Sequence, residues 1–100
     1  MSIFDLFSKA IQSPKSYEEA RNLSFEFIIQ KDPSKARKVI KSIYKEDLPI
    51  KKADIPFIYE IACLASRPIL RELEICRKLC EKITHVDNNH FGANSILLSL

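Results

Sequence analysis

The chain has 100 residues, of which 46% are apolar, and its 16 basic and 13 acidic side chains give a net charge of +3. This length and apolar content indicate one globular domain with its own core, and they exclude a mostly disordered chain. A single glycine argues against a β-rich fold, because tight hairpin turns need residues that tolerate positive φ. No apolar run approaches the roughly 20 residues of a membrane span. We therefore expect an all-α protein.

Local signals predict about six helices joined by short turns, beginning with two near the N-terminus. The first is expected over residues 3–12, where apolar side chains recur at helical spacing, and Pro14 prevents its continuation. Ser16 and Glu19 form a capping box. A second helix is therefore expected over about residues 16–30.

The middle of the chain predicts a third helix and then a linker. Asp32 and Pro33 are typical of an N-cap and a first-turn proline, so a helix is expected over about residues 33–45. Its apolar residues form a stripe with a period of 3.6. Residues 46–53 contain a proline and two lysines and are predicted to be the linker.

Three further helices are predicted in the second half. Asp54 is expected to cap a helix over about residues 55–66, which is apolar nearly all round and therefore central. A fifth helix is expected over about residues 68–85, and a sixth is expected to begin near His90. The fifth is expected to present an apolar face formed by Ile69, Leu73, Cys76, Cys80 and Ile83.

The spacing of small and large residues nearly repeats along the chain. Small residues recur where two helices would touch closely, and large apolar residues recur where they would interlock. The three sets are Ala20, Leu23, Ser24, Phe27, Ala36 and Ile40; Tyr59, Ala62, Cys63, Ser66, Cys76 and Cys80; and Ala93, Ile96, Leu97 and Leu100. Such spacing is typical of stacked helical hairpins.

These residues resemble the tetratricopeptide repeat (TPR) family, whose members stack two-helix units of about 34 residues. The resemblance covers about residues 17–100, and Asp87-Asn88-Asn89 is similar to the family's turn between repeats. It implies a right-handed stack of antiparallel helical hairpins, a TPR-like α-solenoid. Residues 1–15 would then form an N-terminal capping or docking helix, and residues 16–100 the repeats, the last of them incomplete.

The resemblance also implies a concave groove lined by the first helix of each unit. The side chains expected to face a ligand there are Glu18, Arg21, Phe25, Phe57, Glu60, Leu64, Asn94 and Leu98. A groove of this composition is mostly apolar and suits an amphipathic helix or an extended apolar segment. Our first hypothesis is therefore a non-catalytic interaction module, an adaptor, scaffold or chaperone-like protein, whose partner is another protein or peptide.

A second hypothesis follows from a concentration of cations in and after the third predicted helix. We call it the basic patch, and it comprises Lys35, Arg37, Lys38, Lys41, Lys45, Lys51 and Lys52. The patch could be a solvated helix face, or it could contact nucleic acid or an acidic partner. Sequence-specific nucleic-acid recognition is not indicated, because exposed aromatic residues are not interleaved with the cations.

The chain offers little of the chemistry that catalysis or metal binding needs. Cys76, Cys80, His85 and His90 are metal-ligating types, but their spacing is more compact than that of structural zinc sites. Buried cysteines also serve as small apolar residues, so core packing is the preferred interpretation and metal binding stays open. No phosphate-binding loop or nucleophile–base arrangement is evident. We predict that the protein is not an enzyme and has no cofactor.

The last segment, residues 95–100, is apolar and stops in the middle of the repeat pattern. We expect it to be covered by a second subunit or by continuation of the chain, which gives a third hypothesis, the N-terminal helical part of a longer multidomain protein. Three cysteines without a framework spacing favour reduced thiols. Together with a start that lacks the features of a secretory signal, they predict a cytoplasmic protein.

Overall fold

The computed structural model describes residues 14–100, and every regular element in this part of the chain is helical. The all-α prediction is confirmed for these residues. The predicted helix over residues 3–12 lies outside them. The five α-helices and one short 3₁₀ helix are α1 (Tyr17–Ile29), α2 (Pro33–Glu46), the 3₁₀ helix Lys52–Asp54, α3 (Ile55–Ala65), α4 (Leu73–Val86) and α5 (Phe91–Ser99).

Side-chain caps begin the first two helices as the sequence predicts. The Glu19 N–H donates to Ser16 Oγ over 3.1 Å, and the Lys35 N–H donates to Asp32 Oδ1 over 3.2 Å. Each bond satisfies one of the backbone donors that a helix start leaves without an intrahelical partner. Both N-cap predictions are confirmed.

The first helix ends in a Schellman motif built without glycine. The Asp32 N–H donates to the Phe27 carbonyl over 2.8 Å and the Lys31 N–H to the Ile28 carbonyl over 3.0 Å, which is the pair of bonds that defines the motif. Lys31 adopts the left-handed conformation with φ 59°. A side chain with a Cβ is strained there, and glycine is the residue that usually occupies this position.

One predicted cap and one predicted helix start are wrong, although the helix after Asp54 begins at Ile55 as predicted. Asp54 does not cap α3 with its side chain; its carboxylate accepts the Lys51 N–H over 3.2 Å at the 3₁₀ helix that precedes α3. The next helix begins at Leu73 rather than Pro68, because residues 68–70 form a turn and Arg71 adopts a left-handed φ of 50°.

The late start of α4 also changes its buried face. Ile69 belongs to the turn and is 55% exposed, and Leu73 at the helix start is exposed as well. The predicted apolar face was therefore wrong at its N-terminal end. The residues that α4 buries are Ile75, Cys76, Leu79, Cys80 and Ile83.

The helices pair along the chain and the pairs then pack together. Helix α1 packs against α2, and α3 packs against α4, so that residues 17–86 form two helical hairpins. Helix α1 also packs against α3, and α5 packs against α4. Small residues lie at these contacts fully buried: Ala20, Ala36, Ala62, Ala65 and Ala93. Their small side chains allow the helix axes to approach closely.

Two polar side chains in and beside this core, Ser24 and Arg37, bond to backbone carbonyls. The buried Ser24 hydroxyl donates to the Ala20 carbonyl over 2.7 Å. Arg37 joins α2 to the loop before α4, since its guanidinium donates to the Leu70 carbonyl over 2.8 Å and lies 3.1 Å from a carboxylate oxygen of Glu72. Buried polar atoms are costly without such partners.

The glycine of the chain serves a close contact rather than a turn. A Cβ on Gly92 would lie 2.5 Å from ring atoms of Tyr59, so its absence lets α5 approach the tyrosine. The Tyr59 ring also lies 5.0 Å from the His90 ring, between centroids.

In residues 14–100, each helix is too short or too polar to cross a bilayer.

Replacing Lys31 by glycine should stabilise the protein. Glycine removes the left-handed strain at this helix end, and we expect the free energy of unfolding to rise by about 0.5–1 kcal/mol. Urea denaturation followed by circular dichroism measures the change.

The matched control is Lys38→Gly, which makes the same substitution at an exposed position inside α2. There glycine weakens the helix, and the free energy of unfolding should fall by about 1 kcal/mol. Equal losses in both variants would contradict the Schellman assignment at Lys31.

Candidate functional site

A surface groove of about 860 Å³ lies between the C-terminal parts of α2 and α4. The linker that follows α2 forms its third side. We call it the α2–α4 groove. Its lining residues are Tyr44, Lys45, Asp47, Leu48, Pro49, Ile50, Lys78, Glu81, Lys82, His85 and Val86.

Local sequence explains why the linker lies along this groove. Asp47 adopts a left-handed φ of 48° and ends α2, and Pro49 cannot donate the backbone hydrogen bond that a further helical turn would need. Leu48 and Ile50 flank the proline, and both are half-buried against the core. Leu48 and Ile50 therefore hold the linker against the core, one on each side of Pro49.

A hydrogen bond from the core fixes the linker further. The Tyr17 hydroxyl donates to the Leu48 carbonyl over 2.7 Å, and the Tyr17 side chain is buried at the start of α1. Burial raises the pKa of Tyr17, and the nearby carboxylates of Asp47 and Asp54 raise it further. The phenol therefore stays protonated and able to donate up to a higher pH than a free tyrosine.

The floor of the groove is apolar and remains accessible. Tyr44, Leu48 and Ile50 are half-buried against the core, and Val86 at the end of α4 is 36% exposed. Apolar floors with polar edges are typical of surfaces that bind another molecule.

The rim of the groove carries unpaired positive charge. Lys82 forms an ion pair with Asp47, whose pKa is lowered mainly by the hydrogen bond from Lys82. Glu81 lies 3.7 Å from Arg77. Both acidic side chains of the rim are thus engaged, whereas Lys45 and Lys78 form no ion pair with any residue between 14 and 100.

The structure divides the predicted basic patch into two groups. Lys35, Arg37 and Lys41 have structural partners: Lys35 lies 3.6 Å from Asp32, and Arg37 and Lys41 share Glu72 at 3.1 and 3.6 Å. The other four members are exposed and form no ion pair within the described part of the chain: Lys38, Lys45, Lys51 and Lys52. Of the whole patch, Lys45 alone lines the α2–α4 groove.

The predicted concave groove is only partly assembled. Arg21 on α1 forms an ion pair with Glu60 on α3, and its guanidinium lies 5.4 Å from the centre of the Phe25 ring. Phe25 and Phe57 are half-buried against the core, and Glu18 is exposed at the start of α1. These five side chains belong to two helices that pack together.

The other three predicted groove residues have different surroundings. Leu64 is 1% exposed and belongs to the core, so its prediction as a ligand-facing residue is wrong. Asn94 and Leu98 belong to α5, which packs against α4. The Asn94 amide donates to the Asn88 carbonyl over 3.0 Å, and Leu98 is 90% exposed.

The cysteines and histidines have separate surroundings. Cys76 and Cys80 are buried in the core, and the hydrogen bond between their thiols, together with burial, raises the pKa of Cys80. His85 lines the α2–α4 groove, whereas His90 caps α5 by accepting the Ala93 N–H at Nδ1 over 3.0 Å. Residues 14–100 contain no group of three or more His, Cys, Asp or Glu side chains placed to hold a metal ion.

Sequence reasoning missed the apolar part of the α2–α4 groove. Tyr44 falls within the predicted third helix, residues 46–53 within the predicted linker, and Val86 just beyond the predicted end of the fifth helix. The signal that could have found the site is the alternation of Leu48 and Ile50 around Pro49, since an exposed linker has no need of two large apolar residues.

Replacing Tyr17 by phenylalanine should loosen the linker and change the pH dependence of stability. The variant leaves the part-buried Leu48 carbonyl without its donor, so the free energy of unfolding should fall by about 1 kcal/mol at neutral pH. Because the folded pKa of Tyr17 is raised, the wild-type contribution is complete below about pH 10 and is lost as the pH rises through the folded value. The two proteins should therefore converge in stability at alkaline pH.

Urea denaturation of both proteins between pH 7 and the alkaline range measures this convergence. Tyr44→Phe is the matched control, because no hydrogen bond from the Tyr44 hydroxyl is found among the described residues. It should change the free energy of unfolding by less than about 0.5 kcal/mol. A constant difference between wild type and Tyr17→Phe at every pH would contradict the assigned role of the hydroxyl.

Comparison with known proteins identifies no relative for this chain: no family model, no curated protein and no solved structure matches it.

Proposed function

We propose that the protein is a non-catalytic protein–protein interaction module that binds a peptide segment of a partner in the α2–α4 groove. The observation that carries this proposal is an accessible apolar floor, formed by Tyr44, Ile50 and Val86. Beside it lie Lys45 and Lys78, which form no ion pair with any residue between 14 and 100. A solvent-exposed apolar groove of this kind gains free energy when a complementary side chain covers it. The proposed site differs from the predicted concave groove, and of the basic patch it includes only Lys45.

The packing of the helices supports a repeat scaffold of the TPR-like kind. Two consecutive hairpins, α1–α2 and α3–α4, pack through their first helices, and α5 follows α4 as the first helix of a third unit would. Scaffolds of stacked hairpins present extended surfaces that suit the binding of peptide segments. We propose this stacking as the architecture behind the interaction module.

The α2–α4 groove is the better site than the predicted concave groove. On the α1–α3 face, Arg21 and Glu60 neutralise each other, and Leu64 is withdrawn into the core. What remains there is two half-buried phenylalanines, Phe25 and Phe57. The α2–α4 groove offers both a cavity and unpaired charge.

Nucleic-acid binding through the basic patch has less support. Arg37 and Lys41 share one carboxylate and Lys35 lies near another, which reduces the charge available to phosphates. A labelled single-stranded RNA would test it by fluorescence anisotropy. This alternative would be favoured over the groove if the RNA binds at physiological salt, if Lys38→Glu abolishes that binding, and if Val86→Gln leaves it intact.

The proposed function predicts that Val86→Gln weakens peptide binding. A library of random peptides displayed on phage is selected on the immobilised protein, and enriched peptides are then measured by isothermal titration calorimetry. Loss of the apolar contact with Val86 should weaken binding by about tenfold or more. Circular dichroism and a thermal melt establish that the variant is folded.

The matched control is Leu98→Gln, which removes an exposed apolar side chain on α5 instead. It should leave the affinity of the selected peptides unchanged. The proposal is overturned if no peptide is enriched, or if the enriched peptides bind the Val86→Gln protein as tightly as the wild type.

A further inference from the structure

We infer that the occupant of the α2–α4 groove is an acidic amphipathic helix of a partner protein. This inference rests on the proposed function and adds the chemistry of the partner. Three features of the groove carry it: the charge of its two helical sides, the apolar floor between them, and the absence of a strand edge in the described part of the chain.

The charge of the rim selects acidic residues. Lys45 lies on the α2 side and Lys78 on the α4 side, and neither has an acidic partner among residues 14–100. The lining carries three lysines against two carboxylates. Asp47 is held by Lys82, and Glu81 lies 3.7 Å from Arg77, which also binds Glu74, so the lining keeps a net positive charge. A carboxylate-bearing segment would gain from both sides of the groove, whereas a basic segment would be repelled from both.

The floor selects an apolar stripe rather than isolated apolar residues. Tyr44 comes from α2, Ile50 from the linker and Val86 from α4, so the apolar surface continues from one side of the groove to the other. A helix with apolar residues at spacings of three and four presents such a stripe, with its charged residues on the flanks. In the groove those flanks would lie along the lysine-bearing sides.

The secondary structure of the site favours a helix over an extended segment. Extended peptides commonly bind by adding a strand to an open sheet edge, and the described residues contain no strand. A helical occupant satisfies its own backbone hydrogen bonds, which suits a groove made of side chains. It would pack between the ends of α2 and α4 as a further helix.

The peptides selected from the random library test the inference directly. We expect the enriched sequences to be acidic, to carry apolar residues at spacings of three and four, and to gain helical circular dichroism on binding. Enrichment of basic or uncharged peptides, or of peptides without this spacing, would overturn the inference while dependence on Val86 would still uphold the proposed function. Loss of the dependence on Val86 would instead overturn the proposed function itself.

Charge reversal provides the second measurement. The double variant Lys45→Glu/Lys78→Glu should weaken binding of a selected acidic peptide by about tenfold, mostly at low salt. The same peptide with its acidic residues replaced by lysine should bind the double variant better than the wild type. The control Lys31→Glu/Lys38→Glu has the same net charge as this double variant, but its substitutions lie at exposed positions outside the groove lining. It should keep most of the wild-type affinity.

Other occupants would give different results. If a second copy of the chain fills the groove, light scattering should show a dimer that the double charge reversal dissociates. If the chain's own residues 1–13 fill it, their removal should raise the affinity for every selected peptide irrespective of charge. Either outcome would overturn the assignment of the groove to an acidic partner helix, and equal affinity of both double variants would do the same.

Discussion

Helix α3 buries six of its eleven residues, and the arrangement of the other helices follows from this constraint. It contributes Ile58, Ile61 and Leu64 to the core as well as the small residues Ala62 and Ala65. An apolar helix of this kind is stable in water only when other helices cover its whole circumference. Helices α1 and α4 pack against it extensively, and α2 makes a smaller contact.

Covering α3 from several sides leaves the outer helices in limited contact with one another. Helices α2 and α4 contact each other only in part, and at their C-terminal ends the α2–α4 groove lies between them. The linker cannot fill this space, because the bond from the Tyr17 hydroxyl holds the Leu48 carbonyl against α1. The groove is therefore a consequence of the same packing that stabilises the core.

Cations with similar positions in the sequence have different uses in the fold. Arg37 and Lys41 lie near Glu72 and attach α2 to the loop before α4. Lys45, one turn beyond Lys41, lines the groove and forms no ion pair within residues 14–100. A count of charges along the sequence cannot separate these uses, because the acidic partner comes from a loop about 30 residues away.

Local signals predicted most helices correctly, because each depends on residues close together in the chain. Ser16 and Asp32 each cap a backbone N–H three residues further along, and Pro33 is itself the first residue of α2. The same reasoning failed at Pro68, where a buried Leu70 and the interaction of Arg37 with its carbonyl stabilise a turn instead of a helix. That turn depends on a residue more than 30 positions away.

The sequence by itself determined the helical class, the order of the helices and the presence of small residues at helix contacts, since propensity, capping and periodicity are local properties. Tertiary structure alone decided which side chains reach the surface. It buried Leu64, paired Arg21 with Glu60, and brought Tyr44, Ile50 and Val86 together at one groove. Such meetings depend on how separate helices pack, and that is a property of the whole core rather than of any segment.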